Sequence, residues 1–399
     1  MKDDKKEIKN VYCPLPWIHA NFTVDGMPRL CCNSLNSTTD KNLTINNINS
    51  YTEDFLKSEN ISTIRNKMIN GIRPIECQKC YSIEDAGGRS NRQAYYDLYG
   101  FQNEIKIKYI QIALTNKCNL KCTMCWPGSS QRLMKEFDQY NFEYDKNRSI
   151  NASMWDENKV LKFIDIHKND LEVLSIHGGE PFINPIHKKI LENLVKDKVS
   201  SKIKLVYNTN GTILPTWLSE IWKSFKDVKI QISIEGTDKL NEYIRYGTRW
   251  DTFVKNLNKF QKLQYERNYF IRFHIVMMAS NIFEFPKTLK WITEETDFVS
   301  VPYINRLVSP SHLSCGIMPP ELKNRFDDII NQILKIQFRD SKNDIIYSCI
   351  KHIISEINYH KKQPYDENLW NKFIDYHKKL ESGRKNNLSD IIEYFKPYW

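Results

Sequence analysis

Cysteines are the residues of this sequence with the most chemical potential. There are ten in 399 residues, and eight of them fall within the first 125 positions in close pairs or triplets. The charged start MKDDKKEIKN is not followed by an apolar segment, so the sequence lacks the pattern of a secretory signal and we expect a cytoplasmic protein. In a reducing compartment such cysteine groups bind metal more often than they form disulfides.

The strongest group has the spacing C-x3-C-x2-C and consists of Cys118, Cys122 and Cys125. A cubane [4Fe–4S] cluster has four irons, and cysteine thiolate is their usual protein ligand. Three local thiolates leave one iron open for a substrate or a cofactor. Structural zinc is the alternative, but it takes four ligands, and no histidine or fourth cysteine lies near this motif in the sequence.

Alternating strands and helices must position this motif. Six β-branched or aromatic runs alternate with stretches of helical period; the runs are 108–114, 171–176, 203–207, 228–234, 270–277 and 298–304. Strands that alternate with helices predict a parallel sheet with right-handed crossovers. Six units predict an α/β fold, a partial (β/α)6 TIM-like barrel, and place the three cysteines at the C-terminal mouth where such barrels carry their active sites.

Three regions are predicted along the chain. They are a cysteine-rich region at 1–104, the barrel at 105–305 and a mostly helical region at 306–399. Lys and Arg exceed Asp and Glu by 58 to 48, which gives a net charge of +10 that is spread along the chain and does not favour a nucleic-acid partner. A mean hydropathy of −0.57 and the absence of a long apolar run exclude a membrane-spanning class.

The cysteine spacing, in the loop after the first strand, resembles the radical SAM superfamily. The resemblance implies that Cys118, Cys122 and Cys125 hold a [4Fe–4S] cluster and that S-adenosylmethionine chelates its open iron. One electron from the cluster then cleaves the sulfonium and gives a 5′-deoxyadenosyl radical, which abstracts hydrogen from a substrate carbon.

Further motifs of this superfamily follow the next strands. The residues that the resemblance assigns to cofactor binding are Gly178, Gly179, Glu180, Asn208, Asn210, Ser233, Glu235 and Arg245. The first three resemble the GGE motif that meets the methionine amino group, and the asparagines resemble a polar stretch near the ribose. Glu235 stands where the superfamily more often has Asp. Arg245 is expected either to pair with the cofactor carboxylate or to form a structural salt bridge.

The N-terminal cysteines resemble the auxiliary-cluster element of SPASM/twitch proteins. Its signature is C-x(9–15)-G-x4-C, which Cys13, Gly26 and Cys31 match with twelve and then four intervening residues. The implied ligands of a second [4Fe–4S] cluster are Cys13, Cys31, Cys77 and Cys80, with Cys32 as an alternative. This element precedes the barrel here, whereas it follows the barrel in most such proteins. A zinc site with four cysteine ligands is the alternative.

These features predict a radical SAM oxidoreductase with an auxiliary cluster. A peptide or protein is the favoured substrate, and a small polar metabolite such as a sugar, nucleoside or amino acid is the alternative. A non-catalytic iron–sulfur redox sensor is the third hypothesis. We expect an electron donor such as flavodoxin or ferredoxin. Cys315 is considered as a hydrogen donor, although a core position is its default. Further candidate cavity residues, each of which is more often a core residue than a catalytic one, are Trp17, His19, Tyr303, Arg306 and His312.

Overall fold

The computed structural model describes all residues except 1–8, 36–42, 46, 49, 86, 115, 152–154, 300 and 340–343. The chain forms two compact units. The first unit comprises Met1–Lys117, Asp145–Tyr207 and Glu220–Val228, and the second unit comprises Cys118–Tyr144, Asn208–Ser219 and Lys229–Trp399. The division into regions 1–104, 105–305 and 306–399 stays a prediction.

The strands alternate with helices along most of the chain. The strands are β1 (His19–Phe22), β2 (Pro28–Arg29), β3 (Tyr109–Ala113), β4 (Val173–His177), β5 (Lys204–Thr209), β6 (Asp227–Ser233), β7 (Phe270–Met277) and β8 (Tyr303–Arg306). The α-helices are α1 (Leu15–Ile18), α2 (Glu59–Ile69), α3 (Gln78–Asp85), α4 (Asn91–Tyr99), α5 (Gln131–Gln139), α6 (Lys146–Asn151), α7 (Glu157–His167), α8 (Pro185–Lys196), α9 (Thr216–Ile221), α10 (Asp238–Ile244), α11 (Trp250–Arg267), α12 (Phe285–Glu295), α13 (Pro320–Lys323), α14 (Phe326–Leu334), α15 (Asp344–Lys362), α16 (Glu367–Glu381) and α17 (Leu388–Ile391). Short 3₁₀ turns and one π-helical turn (Tyr51–Leu56) connect them.

In the first unit the strand order is β2-β1-β3-β4-β5. Strand β1 pairs antiparallel with β2, whereas the pairs β1–β3, β3–β4 and β4–β5 are parallel. The register aligns His19 with Tyr109, and Tyr109 with Val173. Both faces of β3 are largely buried. Ile110 and Ile112 are buried on one face, and Tyr109 and Ala113 are buried on the other.

In the second unit the strand order is β6-β7-β8, and both pairs are parallel. Each strand from β3 to β7 is followed along the chain by at least one α-helix, and helices α13–α17 follow β8. The predicted α/β fold class, a partial barrel of six strand units, is confirmed. The last predicted strand was misplaced: it begins at Tyr303 and not at Phe298, because Pro302 has no N–H group for a strand ladder.

The described helices are either too short or too polar to cross a bilayer. The longest of them, α15 and α11, are amphipathic, with an apolar face and a charged face.

Candidate functional site

The barrel cysteine loop (residues 118–125) has a fixed backbone within the second unit. The amide of Lys121 donates to the Tyr246 carbonyl and the amide of Thr123 donates to the Ile244 carbonyl, both at 2.8 Å. These two bonds hold the loop against the segment that follows α10. A third bond, from the Cys125 amide to the Cys122 carbonyl (3.1 Å), closes a turn between two of the cysteines.

The three sulfurs of this loop lie within electrostatic reach of one another. Cys122 is buried, and Cys118 and Cys125 are half-buried. Burial raises the pKa of the Cys125 thiol, and the neighbouring Cys122 and Cys118 act in the same direction. A cationic ligand shared by the three sulfurs would stabilise them as thiolates.

Arg245 is the buried cation beside these thiols. Its Nη1 donates to Glu235 Oε1 (3.2 Å), and Glu235 Oε2 accepts from the Val276 amide (2.9 Å). The salt bridge that the sequence left open is therefore formed. Burial disfavours the charge of Arg245, but Cys122, Glu235 and the other two cysteines of the loop raise its pKa. Burial also raises the pKa of Glu235 to about 8, against the opposing effects of Arg245 and the Val276 amide.

One donor of Arg245 is unused. Its Nε is buried and has no hydrogen-bond partner among the residues that the structure describes. A buried, charged and unsatisfied donor is costly unless an acceptor or an anion meets it. This atom therefore marks a place for a negatively charged group beside the barrel cysteine loop.

Two residues near the C-terminus, which the sequence did not single out, also hold the loop. Arg384 Nη2 donates to the Lys121 carbonyl (2.9 Å), and its Nε donates to Glu136 Oε1 (3.2 Å). Tyr376 Oη donates to the Thr123 carbonyl (2.6 Å). The Arg384 and Glu136 side chains are 0% and 3% exposed, so this is a buried ion pair. No local spacing in the sequence signals contacts over such distances along the chain.

The two predicted asparagines, Asn208 and Asn210, differ in burial and in their contact with the barrel cysteine loop. Asn210 is buried, and its Nδ2 donates to Asn119 Oδ1 (2.8 Å) and lies 4.0 Å from Cys118 Sγ. Asn208 is exposed, with its Oδ1 2.7 Å from the side-chain amide of Gln231. The structure thus places Asn210, but not Asn208, in contact with a cysteine of the loop.

The predicted GGE motif follows β4 in the first unit. Gly178 and Gly179 have φ of +82° and +52°, and a Cβ on Gly179 would lie 2.2 Å from the Lys117 carbonyl oxygen. Only glycine fits this close backbone approach. Glu180 is 1% exposed; its amide donates to the same carbonyl (2.7 Å), and its carboxylate accepts from the Phe182 amide (3.2 Å).

Three further residues are considered in turn: Ser233 and Cys315, which lie in the second unit, and Asn116, which lies in the first. Ser233 is half-buried at the end of β6, and Cys315 is fully buried in a 3₁₀ turn, where burial raises the pKa of its thiol. Asn116, which the sequence analysis missed, is 0% exposed and neither of its side-chain amide atoms has a hydrogen-bond partner. Its only signal is a polar residue two positions before the first cysteine of the motif.

The predicted N-terminal ligands lie around one cavity of the first unit, which we call the N-terminal cysteine cavity. Its lining includes Cys13, Cys31, Cys32, Cys77, Cys80, His19, Arg92 and Gln111. Burial raises the pKa of the Cys77 thiol, with contributions from Cys13, Cys31 and Cys80 in the same direction. Cys32 lines the same cavity and acts on the pKa of Cys31, so all five N-terminal cysteines share one neighbourhood. Among the described residues, no three Cys, His, Asp or Glu side chains are grouped so that they could hold a metal ion.

Arg92 is the cation of this cavity, and its donors are occupied. Its Nε and Nη2 form a two-pronged ion pair with Glu84 at 2.9 and 2.5 Å. Its Nη1 donates to the carbonyls of Lys9 and Tyr12 at 2.8 and 2.9 Å. The guanidinium therefore fixes the chain around the cavity and has its charge neutralised locally.

His19 faces the same cavity as a neutral ring. It is 1% exposed, its Nδ1 lies 3.1 Å from the Leu30 carbonyl, and its Nε2 has no hydrogen-bond partner. Burial lowers the pKa of His19 to about 4, although the Leu30 carbonyl and the Gln111 side chain act in the opposite direction. The ring packs on Tyr109 with centroids 4.4 Å apart.

Comparison with known proteins gives the site its family. Residues 112–292 match the family model described as the Radical SAM superfamily. These residues are a radical SAM domain. The domain takes in the barrel cysteine loop, the GGE motif, Asn210 and Arg245. It does not include the N-terminal cysteine cavity, of which Gln111 is the last residue in the sequence.

Two curated relatives match over the radical SAM domain and beyond. The radical SAM cyclopropyl synthase TigE of Paramaledivibacter caminithermalis is 26% identical over 291 residues, which are 71% of this chain and 55% of TigE. A GTP 3′,8-cyclase of Vibrio atlanticus is 23% identical over 193 residues, which are 48% of this chain and 52% of the cyclase. The chain thus spans about half the length of the curated relatives it matches.

Solved structures align with lower sequence identity. Native anSMEcpe with bound AdoMet has a TM-score of 0.39 and 18% identity, covering 57% of this chain and 62% of that one. Streptococcus suis SuiB has a TM-score of 0.35 and 15% identity, covering 87% and 63%.

A radical SAM domain implies an iron–sulfur cluster and S-adenosylmethionine, and the residues of this chain fit both. The donor set is three thiols of one short loop, which suits iron with one open position. The unpaired Nε of Arg245 beside these thiols suits an anionic group. The close approach at Gly179 exposes backbone atoms that a larger residue would cover.

Proposed function

We propose that this chain is a radical SAM enzyme in which Cys118, Cys122 and Cys125 hold a [4Fe–4S] cluster that binds S-adenosylmethionine. The observation that carries the proposal is the meeting of these three thiols with the buried guanidinium of Arg245, whose Nε is unpaired. Zinc does not account for this arrangement, because a structural zinc site needs a fourth protein ligand.

When bound, such a cluster and S-adenosylmethionine supply one-electron cleavage of a sulfonium and abstraction of hydrogen from carbon. The residues of the chain position and shield these groups. Arg245 supplies positive charge to the anionic ligands, and Glu235 keeps its guanidinium in place through the Val276 amide. Arg384 and Tyr376 fix the Lys121 and Thr123 carbonyls, which holds the backbone of the loop that carries the three cysteines.

A second metal centre in the N-terminal cysteine cavity is part of the proposal. Its ligands would come from Cys13, Cys31, Cys77 and Cys80, which share one buried neighbourhood. We propose an auxiliary [4Fe–4S] cluster of the SPASM/twitch type, which would accept the substrate electron or bind substrate. Zinc is the second candidate for this centre, because thiolate ligands in this number suit it as well.

For the substrate we propose a peptide or protein, since relatives with a SPASM/twitch element include many peptide-modifying enzymes. A nucleotide or another small polar metabolite is the second candidate, supported by the match to the GTP 3′,8-cyclase. A flavodoxin or ferredoxin is the proposed reductant, and the cytoplasm the proposed compartment.

The experiment uses the full chain, purified without oxygen and reconstituted with iron and sulfide. We expect 5′-deoxyadenosine and methionine to form from S-adenosylmethionine when dithionite is supplied. Cys125→Ser abolishes both products, whereas Cys349→Ser, which changes a cysteine outside both cysteine sets, leaves them unchanged. A well-loaded wild type that forms no 5′-deoxyadenosine contradicts the enzyme and favours the redox sensor. Transfer of substrate deuterium into 5′-deoxyadenosine, from labelled GTP or from labelled peptides, distinguishes the substrate classes.

A further inference from the structure

We propose that His19 is a metal ligand, through Nε2, of the centre in the N-terminal cysteine cavity, which is therefore a mixed thiolate–imidazole site. The inference rests on the second metal centre of the proposed function. Its imidazole takes the place of one thiolate in a set of four ligands that the sequence motifs describe as all-cysteine.

The protonation of the ring follows from its backbone contact. Nδ1 lies 3.1 Å from the Leu30 carbonyl, and a carbonyl oxygen can only accept a hydrogen bond. Nδ1 must therefore carry the proton of the neutral ring, and Nε2 carries a lone pair. This is the tautomer in which a metal-binding histidine donates its other N–H group to a backbone carbonyl.

Among the described residues of the first unit, no donor lies within hydrogen-bond distance of the Nε2 lone pair. Nε2 is buried and has no hydrogen-bond partner, and the ring lines the cavity together with the cysteines. Of the neighbouring polar side chains, Arg92 is saturated by Glu84 and two carbonyls. Gln111, whose amide lies 3.3 Å from the His177 ring, also interacts with the His19 ring. A buried acceptor in the lining of a cavity that cysteine thiols also line suits a metal ion bound by those thiols.

The backbone gives His19 little freedom to turn away. It begins β1, where its register partner is Tyr109 of β3, and the two rings pack with centroids 4.4 Å apart. The Leu30 carbonyl, just after β2 and next to Cys31 in the chain, holds the other side of the ring. A ligand fixed in this way by two strands is preorganised.

The expected chemistry depends on the metal. In an iron–sulfur cluster, imidazole in place of thiolate makes the reduction potential more positive, as in Rieske centres. In a zinc site, it gives the common combination of three cysteines and one histidine. In both cases a metal–nitrogen bond is the signature.

The test detects that bond directly. In a Cys118→Ala/Cys122→Ala/Cys125→Ala variant only the N-terminal centre is loaded. We expect pulsed electron paramagnetic resonance of its reduced iron to show a directly coordinated nitrogen, whose signal changes when histidine is labelled with ¹⁵N. His19→Leu removes the signal and makes the potential more negative, whereas His352→Leu, at an exposed histidine, changes neither. If the centre holds zinc, X-ray absorption should show one nitrogen ligand that His19→Leu removes.

A loaded N-terminal centre without a coordinated nitrogen overturns the inference and leaves the proposed function intact. If the triple variant binds no metal, the wild type is measured with and without His19→Leu. Absence of any second metal there overturns both the inference and the proposed auxiliary centre, while formation of 5′-deoxyadenosine still reports on the barrel cluster.

Discussion

The two cysteine sets of this protein are each accompanied by a buried arginine, and the two arginines are used differently. Arg92 of the N-terminal cysteine cavity donates its hydrogen bonds to Glu84 and to two backbone carbonyls. Arg245 of the barrel cysteine loop makes one bond to Glu235, keeps Nε unpaired and interacts with all three cysteines.

The difference indicates two kinds of site. A saturated arginine fixes the chain around it, so we expect the N-terminal cysteine cavity to hold its proposed metal centre in place. An undersaturated arginine leaves positive potential for an incoming anion, so we expect the barrel cysteine loop to exchange a ligand.

The largest expected effect, on metal content and on cleavage of S-adenosylmethionine, comes from replacing a cysteine in one of the two cysteine sets at a time. Cys122→Ala should abolish cleavage of S-adenosylmethionine, because it removes a ligand of the proposed barrel cluster, and should leave metal in the N-terminal cavity. Cys77→Ala should do the reverse: the N-terminal metal is lost and cleavage without substrate persists. Metal analysis and 5′-deoxyadenosine formation measure both. Cleavage by Cys122→Ala at the wild-type rate would refute the assignment of the loop.

The next effect concerns the ion pair that holds the barrel loop. Arg384→Met leaves the buried Glu136 carboxylate with Lys121 as its remaining cation, and should lower the free energy of unfolding by about 1.5–3 kcal/mol, as expected when a hydrogen bond between charged groups is lost. Chemical denaturation measures the loss.

Two controls sharpen this result. Arg89→Met, which breaks an exposed pair with Asp97, should cost less than about 1 kcal/mol. The double variant Glu136→Leu/Arg384→Met should recover much of the loss. A loss for Arg384→Met no larger than that for Arg89→Met would show that the pair does not hold the loop.

The pH dependence of stability separates the first unit from the barrel loop. His187 is buried, with Nδ1 3.1 Å from the Pro181 carbonyl and Nε2 3.0 Å from Tyr207 Oη, and burial lowers its pKa to about 3. Between pH 6.5 and 3 the unfolded chain binds a proton at this residue that the folded chain does not. The stabilisation is therefore complete above pH 6.5 and is lost as the pH falls, by up to about 1.4 kcal/mol per pH unit.

His187→Gln should remove this part of the slope between pH 6.5 and 5. Unfolding curves at several pH values measure it, with the exposed His352→Gln as the matched control. An unchanged slope in His187→Gln would mean that the imidazole is not kept neutral in the folded chain.

The smallest effect is that of a single hydrogen bond to the loop. Tyr376→Phe removes the 2.6 Å bond to the Thr123 carbonyl and should lower the free energy of unfolding by about 1 kcal/mol. Tyr398→Phe, whose hydroxyl bonds Glu321 at the surface, should change it by a few tenths. Equal effects of the two variants would argue against a role for Tyr376 at the loop.

The site is only partly predictable from the sequence. The cysteine triplet and the glycines after β4 are local signals, because a short loop or turn needs specific residue types at fixed spacing. Arg384 and Tyr376 lie 263 and 253 positions from their loop partners, Lys121 and Thr123, so no spacing rule reaches them. The choice between a cofactor partner and a salt bridge for Arg245 was likewise open, because it depends on where Glu235 points.

The sequence by itself determined the alternation of strands and helices and the position of the cysteine loop after β3. These depend on hydrophobic period and local turn chemistry, which are written along the chain. Only the tertiary structure decided which arginine is saturated, which tautomer His19 adopts and which of the N-terminal cysteines share a neighbourhood. These depend on burial and on partners distant in sequence, because a hydrogen bond or a lone pair is settled by whatever the fold brings within about 3 Å.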